Sequence, residues 1–468
     1  MTLHFTNTLG GALEEFAPLD PKDVRVYSCG PTVYGPSHVG NFRAFLLGDL
    51  VSRYLRWSGY NVTWVMNITD VDDRIIRDLQ AAGGTLAELT APHVAGFIEN
   101  LGKLRIGPPD RLVRATEHIP EMASLIARLI ANGHAYKTDD GSIFFDISSW
   151  PAYGTLAHLD PGAARQTERV AADDYGKEDV RDFALWKGHK DGEPSWATEI
   201  GPGRPGWHVE CSAMSMKHLG ESFDIHTGGV DLIFPHHENE IAQSEGATGK
   251  KFVTTWLHNA HLQLSGVKMA RRVGNIEKPA EVFANGWTPT ELRYALLATH
   301  YRAPLEWGDE TLEHARAAVE RLAAAVAALE AYQEEKADDP DIPAALNSAR
   351  DAFKLAMDDD LNASGGLAAM MELVRDLNRR VDARSLSNAD ARHALEAMRD
   401  LDQVLGLLPD AQALPSGAAE LLEQRVAARA AKDWAKSDEL RGMLAAMGVE
   451  VEDSRDGQRW KLTKVSNG

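Results

Sequence analysis

Only two cysteines, Cys29 and Cys211, occur in 468 residues, too few for a disulfide-stapled secreted scaffold. Cations are also scarce: 49 Lys and Arg stand against 69 Asp and Glu, for a formal net charge of −20. That excludes an indiscriminate basic nucleic-acid binder, because phosphate contacts need Lys and Arg, but it leaves room for a local basic face. No apolar run approaches the ~18 residues that a membrane span requires. The opening MTLHFTNTLGGALEEF lacks a cationic stretch ahead of a continuous apolar core, so no signal peptide is expected. The expected compartment is the reducing cytoplasm, with both thiols free. Internal repeats and long low-complexity tracts are absent as well. What remains is 44% hydrophobic and 25% charged, ordinary for globular chains and long enough for about two or three domains.

The stretch from Val24 to Arg43, VRVYSCGPTVYGPSHVGNFR, organises the rest. It reads as an apolar strand, a Gly/Pro-punctuated loop, and a helix beginning near His38. Phe42, Phe45, Leu46, Leu50, Tyr54 and Trp57 recur on one face of that helix, and Gly59 stops it. NVTWVMN, residues 61–67, is the next strand. Strand, helix and strand at this spacing make a βαβ unit with parallel pairing and a right-handed crossover. Ligands of such sheets sit beyond the carboxyl ends of the strands, with phosphates at the first helix N-terminus. His38 and Asn41 stand there, one turn apart, able to donate to a polyphosphate; a helix start with a chance histidine is the plainer alternative.

Beyond the second strand, Thr69, Asp70, Asp72 and Asp73 mark a strand end where binding residues collect, although for any single aspartate capping of the next helix is the simpler account. A helical region runs to about Arg105. From Arg114 to Gly201 the pattern changes to a helix, a β-like stretch, a polar loop and the anchor DFALWKG, which reads as an insertion into the sheet fold. GRPGWHVECSAM then leads into a helix, and FDIHTGGVDLIFPHHENEIAQSE reads as strand, Gly-rich turn and helix. The spacing puts His236 and Glu240 on one helix face, with His237 and Glu238 turned to other faces. NAHLQLSGVKMARRVGN reads as a loop with Lys268, Arg271 and Arg272 clustered. Past Asp309 the chain becomes helical and alanine-rich, with Asn362 and Asn388 as caps, and it ends in two helices and a hairpin of nearly balanced charge.

A lone cysteine at a strand end is most simply a small buried hydrophobe. Here Cys29, Cys211 and the His236/Glu240 pair all fall at element ends around one sheet crevice. Two thiolates, an imidazole and a carboxylate form a four-donor set suited to Zn²⁺, a borderline-soft ion.

Taken together, CGPTVY, HVGN, NITDVDD, DFALWK, GRPGWHVECSAM, FPHHENEIAQ, KMARR, MDDDLN and RAAKDWAKSDELR resemble the class I cysteinyl-tRNA synthetases along essentially the whole chain. The resemblance implies an α/β fold: a Rossmann-like parallel-sheet catalytic domain (1–113 and 202–265) split by a connective insertion (114–201). A stem-contact region (266–308), an α-helical bundle (309–408) and a small anticodon-binding domain (418–468) would follow. It implies one Zn²⁺ per chain on Cys29, Cys211, His236 and Glu240. Substrate cysteine would meet Thr32, Thr69 and Trp207; ATP, with Mg²⁺, would meet His38, Gly40, Asn41, Lys268 and Arg271. Arg429, Trp434 and Asp438 of the RAAKDW motif would contact cysteine tRNA, and the chain would act as a monomer. HVGN carries asparagine in the fourth place of HIGH. KMARR keeps the first lysine of KMSKS but has Ala270 and Arg272 in place of both serines. Arg271→Lys is expected to keep most activity, since the positive charge remains. Rival readings are a ligase joining cysteine to a small amine, a paralogue without turnover, and a zinc hydrolase with Glu238 as base.

Overall fold

The computed structural model describes residues 2–159, 182–410, 415, 417–454 and 457–462. The polar loop expected before Asp182, and most of the linker around Pro415, lie outside the described residues. The described residues form two compact units: 1–319 with 348–371 and 400–407, and 320–347 with 372–399 and 408–468. The stretch read from sequence as one helical bundle, 309–408, is thus divided between them.

The first unit is built on a five-stranded parallel sheet in the order Val253–Asn259, Phe223–Gly229, Asp23–Ser28, Asn61–Ile68, Arg111–Arg114. Its strands are apolar on both faces, as helices on either side require. Ser28 and Trp64 point to the helix Val39–Trp57, so close that a Cβ on Gly48 would lie 2.4 Å from Ser28 Oγ. Tyr27 and Val65, one residue out of phase, join a cluster with Val209 and Ala213 of the helix Trp207–Leu219. Alternation along the strands therefore puts the two helices on opposite faces. The first helix starts one residue after His38 and buries Phe42, Phe45, Leu46, Leu50 and Tyr54, as its periodicity predicts.

The insertion contributes the helix Ile119–Ala131 and an antiparallel sheet, Ala135–Lys137, Ile143–Phe145, Phe183–Gly188 and Gly203–Pro205. The last strand corrects the expected boundary at 201/202: Arg204 and Pro205 pair with Lys187 and Trp186, so the GRP of GRPGWHVECSAM closes the insertion. Nor is the insertion a separate body. Phe145, Phe183, Leu185 and Trp186 share one apolar cluster with Tyr27 and Val65 of the main sheet.

In the second unit, Ser387 rather than Asn388 caps the helix Asn388–Leu405. Its Oγ accepts from the amides of Ala389 and Asp390, while Asp390 Oδ2 accepts from Ser387 N. A serine followed three residues later by an acid is a capping box. The terminal piece is two helices, Ala418–Ala430 and Trp434–Ala446, with the antiparallel hairpin Val449–Ser454/Gly457–Leu462. Ala418, Leu422, Leu444, Val449 and Val451 form its core, and buried Arg425 binds Asp453 through two bonds of 2.9 and 2.8 Å.

The first unit depends on a fully buried arginine. Arg293 donates to Asp49 Oδ2 at 2.7 Å and to the carbonyls of Leu104, Arg105 and Leu405. Asp49 Oδ1 in turn accepts from Gly107 N and Arg53 Nε, both at 2.8 Å. Removing the guanidinium takes from buried Asp49 one of its two cationic partners and from the carbonyls of Leu104 and Leu405 their Arg293 donor. Arg293→Met is expected to lower unfolding stability by about 3–5 kcal/mol, read as a drop in the urea midpoint by circular dichroism. A loss below about 1 kcal/mol, the value of an exposed pair, would contradict this.

Candidate active site

Strand ends bring the functional side chains to one edge of the sheet. The strand Asp23–Ser28 runs into Cys29 and then Gly30, whose amide donates to Asn67 Oδ1 at 2.8 Å. A Cβ on Gly30 would sit 1.7 Å from Asn67 O, so only glycine permits the approach. Beyond it Thr32 pairs with Thr69 in an isolated bridge, through Val33 N to Thr69 O and Thr69 N to Pro31 O at 3.0 Å each. Thr69 Oγ1 donates to buried Glu210 at 2.9 Å. The aspartates that follow are structural. Asp72 caps its helix through Arg74 N, Asp70 takes the amide and hydroxyl of Thr116, and Asp73 pairs with Lys187 and Arg204.

Cys29, Cys211, His236 and Glu240 converge, all buried, with their donor atoms within 4.8 Å of one another. Cys29 Sγ lies 3.8 Å from Cys211 Sγ and 3.9 Å from Glu240 Oε1; His236 Nε2 lies 3.1 Å from the same carboxylate oxygen. Cys211 stands in the helix Trp207–Leu219. His236 is not on a regular helix as its spacing suggested. It sits in the short turn Ile233–His237, kinked at Phe234, and the helix starts at Glu238.

A second donor set, Cys29, His226, His237 and Glu240, overlaps the first. His237, on another face from His236, is buried: its Nε2 is 3.3 Å from Cys29 Sγ, and its Nδ1 meets His258 Nε2 at 2.7 Å. His226 Nε2 holds Glu240 Oε2 at 3.0 Å. These imidazoles back the thiol and carboxylate donors, as outer partners of metal ligands do. The set with Cys211 is the better metal site. It alone has two soft sulfurs, and Trp207, which lines the open hollow, stacks 4.2 Å from the His236 ring. The hydrogen bond from Cys29 holds the Cys211 thiol down at about 6, while burial pushes Cys29 up. Burial would raise Glu240, yet His226 and His236 keep it at about 2. A ready thiolate and an ionised carboxylate are the protonation states that a divalent metal takes.

His226 and His258 escaped the sequence reading because a single histidine in an apolar strand looks like a satisfied core residue. The signal, in retrospect, was their place near the carboxyl ends of two adjacent strands. Glu238, drawn earlier as a hydrolase base, accepts from Gly154 N at 2.7 Å and Ala157 N at 3.0 Å. It braces the insertion.

Cys29 and Trp207 also line one end of a hollow of about 380 Å³ whose other end holds His38, Gly40, Asn41, Lys268 and Arg271. Asn41 Oδ1 accepts from His38 N at 3.0 Å, fixing the helix start. Burial, and then the charge of Arg271, hold the His38 imidazole down at about 4, so it is neutral at pH 7. The KMARR segment is not a plain loop. Leu262–Leu264 and Val267–Lys268 form a hairpin, followed by a tight turn over Arg271–Val273. Lys268 Nζ pairs with Asp231 at 2.9 Å. Two nitrogens of residues that line this end, His38 Nδ1 and Arg271 Nε, are buried without a hydrogen-bond partner. Buried donors are seldom left so.

In the terminal piece, Arg429 pairs with Asp453 at 2.8 Å and lies 5.7 Å from the Trp434 ring. Trp434 is 57% exposed, and Asp438 is exposed as well. Among the described residues no helix is long and apolar enough to cross a membrane.

Comparison with known proteins was made against this geometry. Residues 15–317 match the family described as tRNA synthetases class I (C) catalytic domain, 352–409 the DALR domain, and 411–460 the cysteinyl-tRNA ligase anticodon binding domain. The cysteine–tRNA ligase of Solibacter usitatus (strain Ellin6076) is 44% identical over 465 residues, covering 98% of this chain and 100% of that protein. That of Symbiobacterium thermophilum is 44% identical over 472 residues, with the same coverage. Among solved structures, Mycobacterium tuberculosis methionyl-tRNA synthetase in complex with methionyl-adenylate superposes with a TM-score of 0.59 at 18% identity, over 82% of this chain and 90% of that one.

If Cys29, Cys211, His236 and Glu240 are the metal donors, Cys211→Ala should reduce bound zinc from about one per chain to a small fraction of that. Glu238→Gln should leave it unchanged. Elemental analysis of the purified proteins decides the matter, and stoichiometric zinc in Cys211→Ala would remove this set from consideration.

Proposed function

Since the chain belongs to the cysteine–tRNA ligases of aminoacyl-tRNA synthetase class I, we propose that the hollow at the sheet edge joins cysteine to ATP and then to tRNA. The observation that carries this reading is the pairing of ends within one hollow. Cys29, one thiol of the buried donor set, lies at one end with Trp207, which stacks on the His236 ring; cations with the unpartnered His38 Nδ1 and Arg271 Nε lie at the other. A thiol amino acid and a polyphosphate complement the two ends.

The carboxylate of cysteine attacks the α-phosphate of ATP in line, giving cysteinyl-adenylate and pyrophosphate; the terminal ribose hydroxyl of the tRNA then takes the acyl group. No protein nucleophile is needed, so these residues act by positioning and by stabilising charge. His38, Gly40 and Asn41 meet the phosphates at the helix N-terminus. Lys268 and Arg271 face the β- and γ-phosphates, which carry Mg²⁺. Thr32, Thr69 and Trp207 border the amino acid. Cys29, Cys211, His236 and Glu240 fit Zn²⁺, which supplies a soft electrophile that prefers a thiolate to the hydroxyl of serine. Selection by sulfur chemistry makes a separate editing site unnecessary.

Arg429, Trp434 and Asp438 form the surface offered to the tRNA anticodon, with the exposed Trp434 ring as a stacking platform. A small-amine ligase has no use for such a piece, and the match over 411–460 disfavours that rival. All donors and cations of the hollow come from one chain, so a monomer suffices. The two free thiols suit the reducing cytoplasm.

Two assays separate the steps. Lys268→Ala should slow single-turnover adenylate formation by about 100- to 1000-fold, the usual loss for one preorganised charged donor, with a much smaller change in ATP binding. Trp434→Ala should leave cysteine-dependent pyrophosphate exchange intact while weakening tRNA charging about tenfold. An unaltered adenylate rate in Lys268→Ala would make the hairpin a bystander.

A further inference from the structure

Arg271 occupies the place of the second lysine in the KMSKS signature, and its surroundings differ from those of a solvated cation. Its guanidinium carbon lies 4.8 Å from the centre of the Tyr34 ring, and Nη2 donates to the carbonyl of Pro36. A Cβ on Gly35 would come within 2.7 Å of Nη1. The group is therefore packed closely against the turn Tyr34-Gly35-Pro36, which belongs to the segment joining Cys29 to His38. Its neighbour Arg272, by contrast, is exposed. Arg74 also reaches the Tyr34 ring, at 4.3 Å. The rest of the segment is braced from within: Asn275 accepts from Ala270 N at 2.9 Å and donates to Lys268 O at 3.1 Å. Met269 N donates to Leu262 O at 2.8 Å.

We propose that Tyr34 is a positioning residue that clasps Arg271 and so keeps the KMARR hairpin docked over the phosphate end of the hollow. This rests on the reading that the hairpin handles the phosphates of ATP. A planar guanidinium can stack on the ring and donate to Pro36 O at the same time. An ammonium is a point charge that cannot do both as well. Arginine at 271 is thus not interchangeable with lysine in this chain, contrary to what charge alone suggests. The residue holds the hairpin as well as adding charge to it.

The test is a kinetic cycle on the full-length protein, with Tyr34→Phe, Tyr34→Leu, Arg271→Lys and the Tyr34→Leu/Arg271→Lys double variant compared in cysteine-dependent pyrophosphate exchange. Arg271→Lys and Tyr34→Leu should each lower kcat/KM for ATP about tenfold, and Tyr34→Phe, which keeps the ring, should stay within about twofold of the parent. The KM for cysteine and the zinc content should not move. The double variant should be no worse than the poorer single one, because each change breaks the same contact. Multiplying losses, equal losses in Tyr34→Phe and Tyr34→Leu, or a fully active Arg271→Lys would each overturn the proposal. If Tyr34→Leu does not fold, Arg271→Lys against Arg271→Gln decides: the clasp requires lysine to do little better than glutamine. Lys268→Ala separates the two levels. If it is also fully active, the phosphate role of the hairpin fails; if it is impaired while the cycle is multiplicative, only the clasp fails.

Discussion

The contact between Gly30 and Asn67 governs the geometry of the whole site. Two parallel strands normally diverge after their last hydrogen bonds, but here the first one continues into a residue without a side chain that lies directly on the neighbouring carbonyl. Cys29, immediately before it, is thereby turned down toward Cys211 and Glu240. Thr32, just after it, is turned up beside Thr69. The same loop reaches the helix start at His38. One backbone constraint thus sets the depth of the sulfur donors, the edge of the amino-acid pocket and the distance to the phosphate end.

The hollow can hold opposite chemistries because its two ends are lined by different groups, a thiol and an aromatic ring at one and cations at the other. Around the sulfur end, burial holds His237 well below the ordinary imidazole range and His258 at about 3, so these two contribute hydrogen bonds rather than competing positive charge. At the other end, burial and then the charges of Arg271 and Lys268 hold His38 neutral, and the two cations are themselves tied to Tyr34, Pro36 and Asp231. Preorganised cations of this kind do not have to rearrange when negative charge develops, which is where such groups gain their effect. Selection and activation are assigned to different ends of one cavity.

Much of this arrangement was legible in the sequence wherever a periodic signal or a motif carried it. The helix from Val39 followed from its apolar spacing, and the convergence of Cys29, Cys211, His236 and Glu240 from coordination chemistry plus their places at element ends. Other features had no local signature. Gly203–Pro205 is too short, and too rich in residues that avoid strands, to announce itself as a sheet member. Asn388 looked like a cap, but Ser387 with Asp390 satisfies three amides, those of Ser387, Ala389 and Asp390. The imidazoles of His226 and His258 belong to buried strands, and only tertiary packing brings them to Glu240 and His237. The stacking of Arg271 on Tyr34 joins residues too far apart in the chain for any spacing rule to connect.

The account stands or falls on substrate sulfur reaching the buried donor set. Zinc-edge X-ray absorption on the purified protein, with and without cysteine, tests that directly. Two sulfur neighbours at about 2.3 Å are expected in the free protein, rising to three when cysteine is added and staying at two with serine. A sulfur count that does not change on adding cysteine would show that the thiol is recognised elsewhere, and the division of the hollow into a sulfur end and a phosphate end would be wrong.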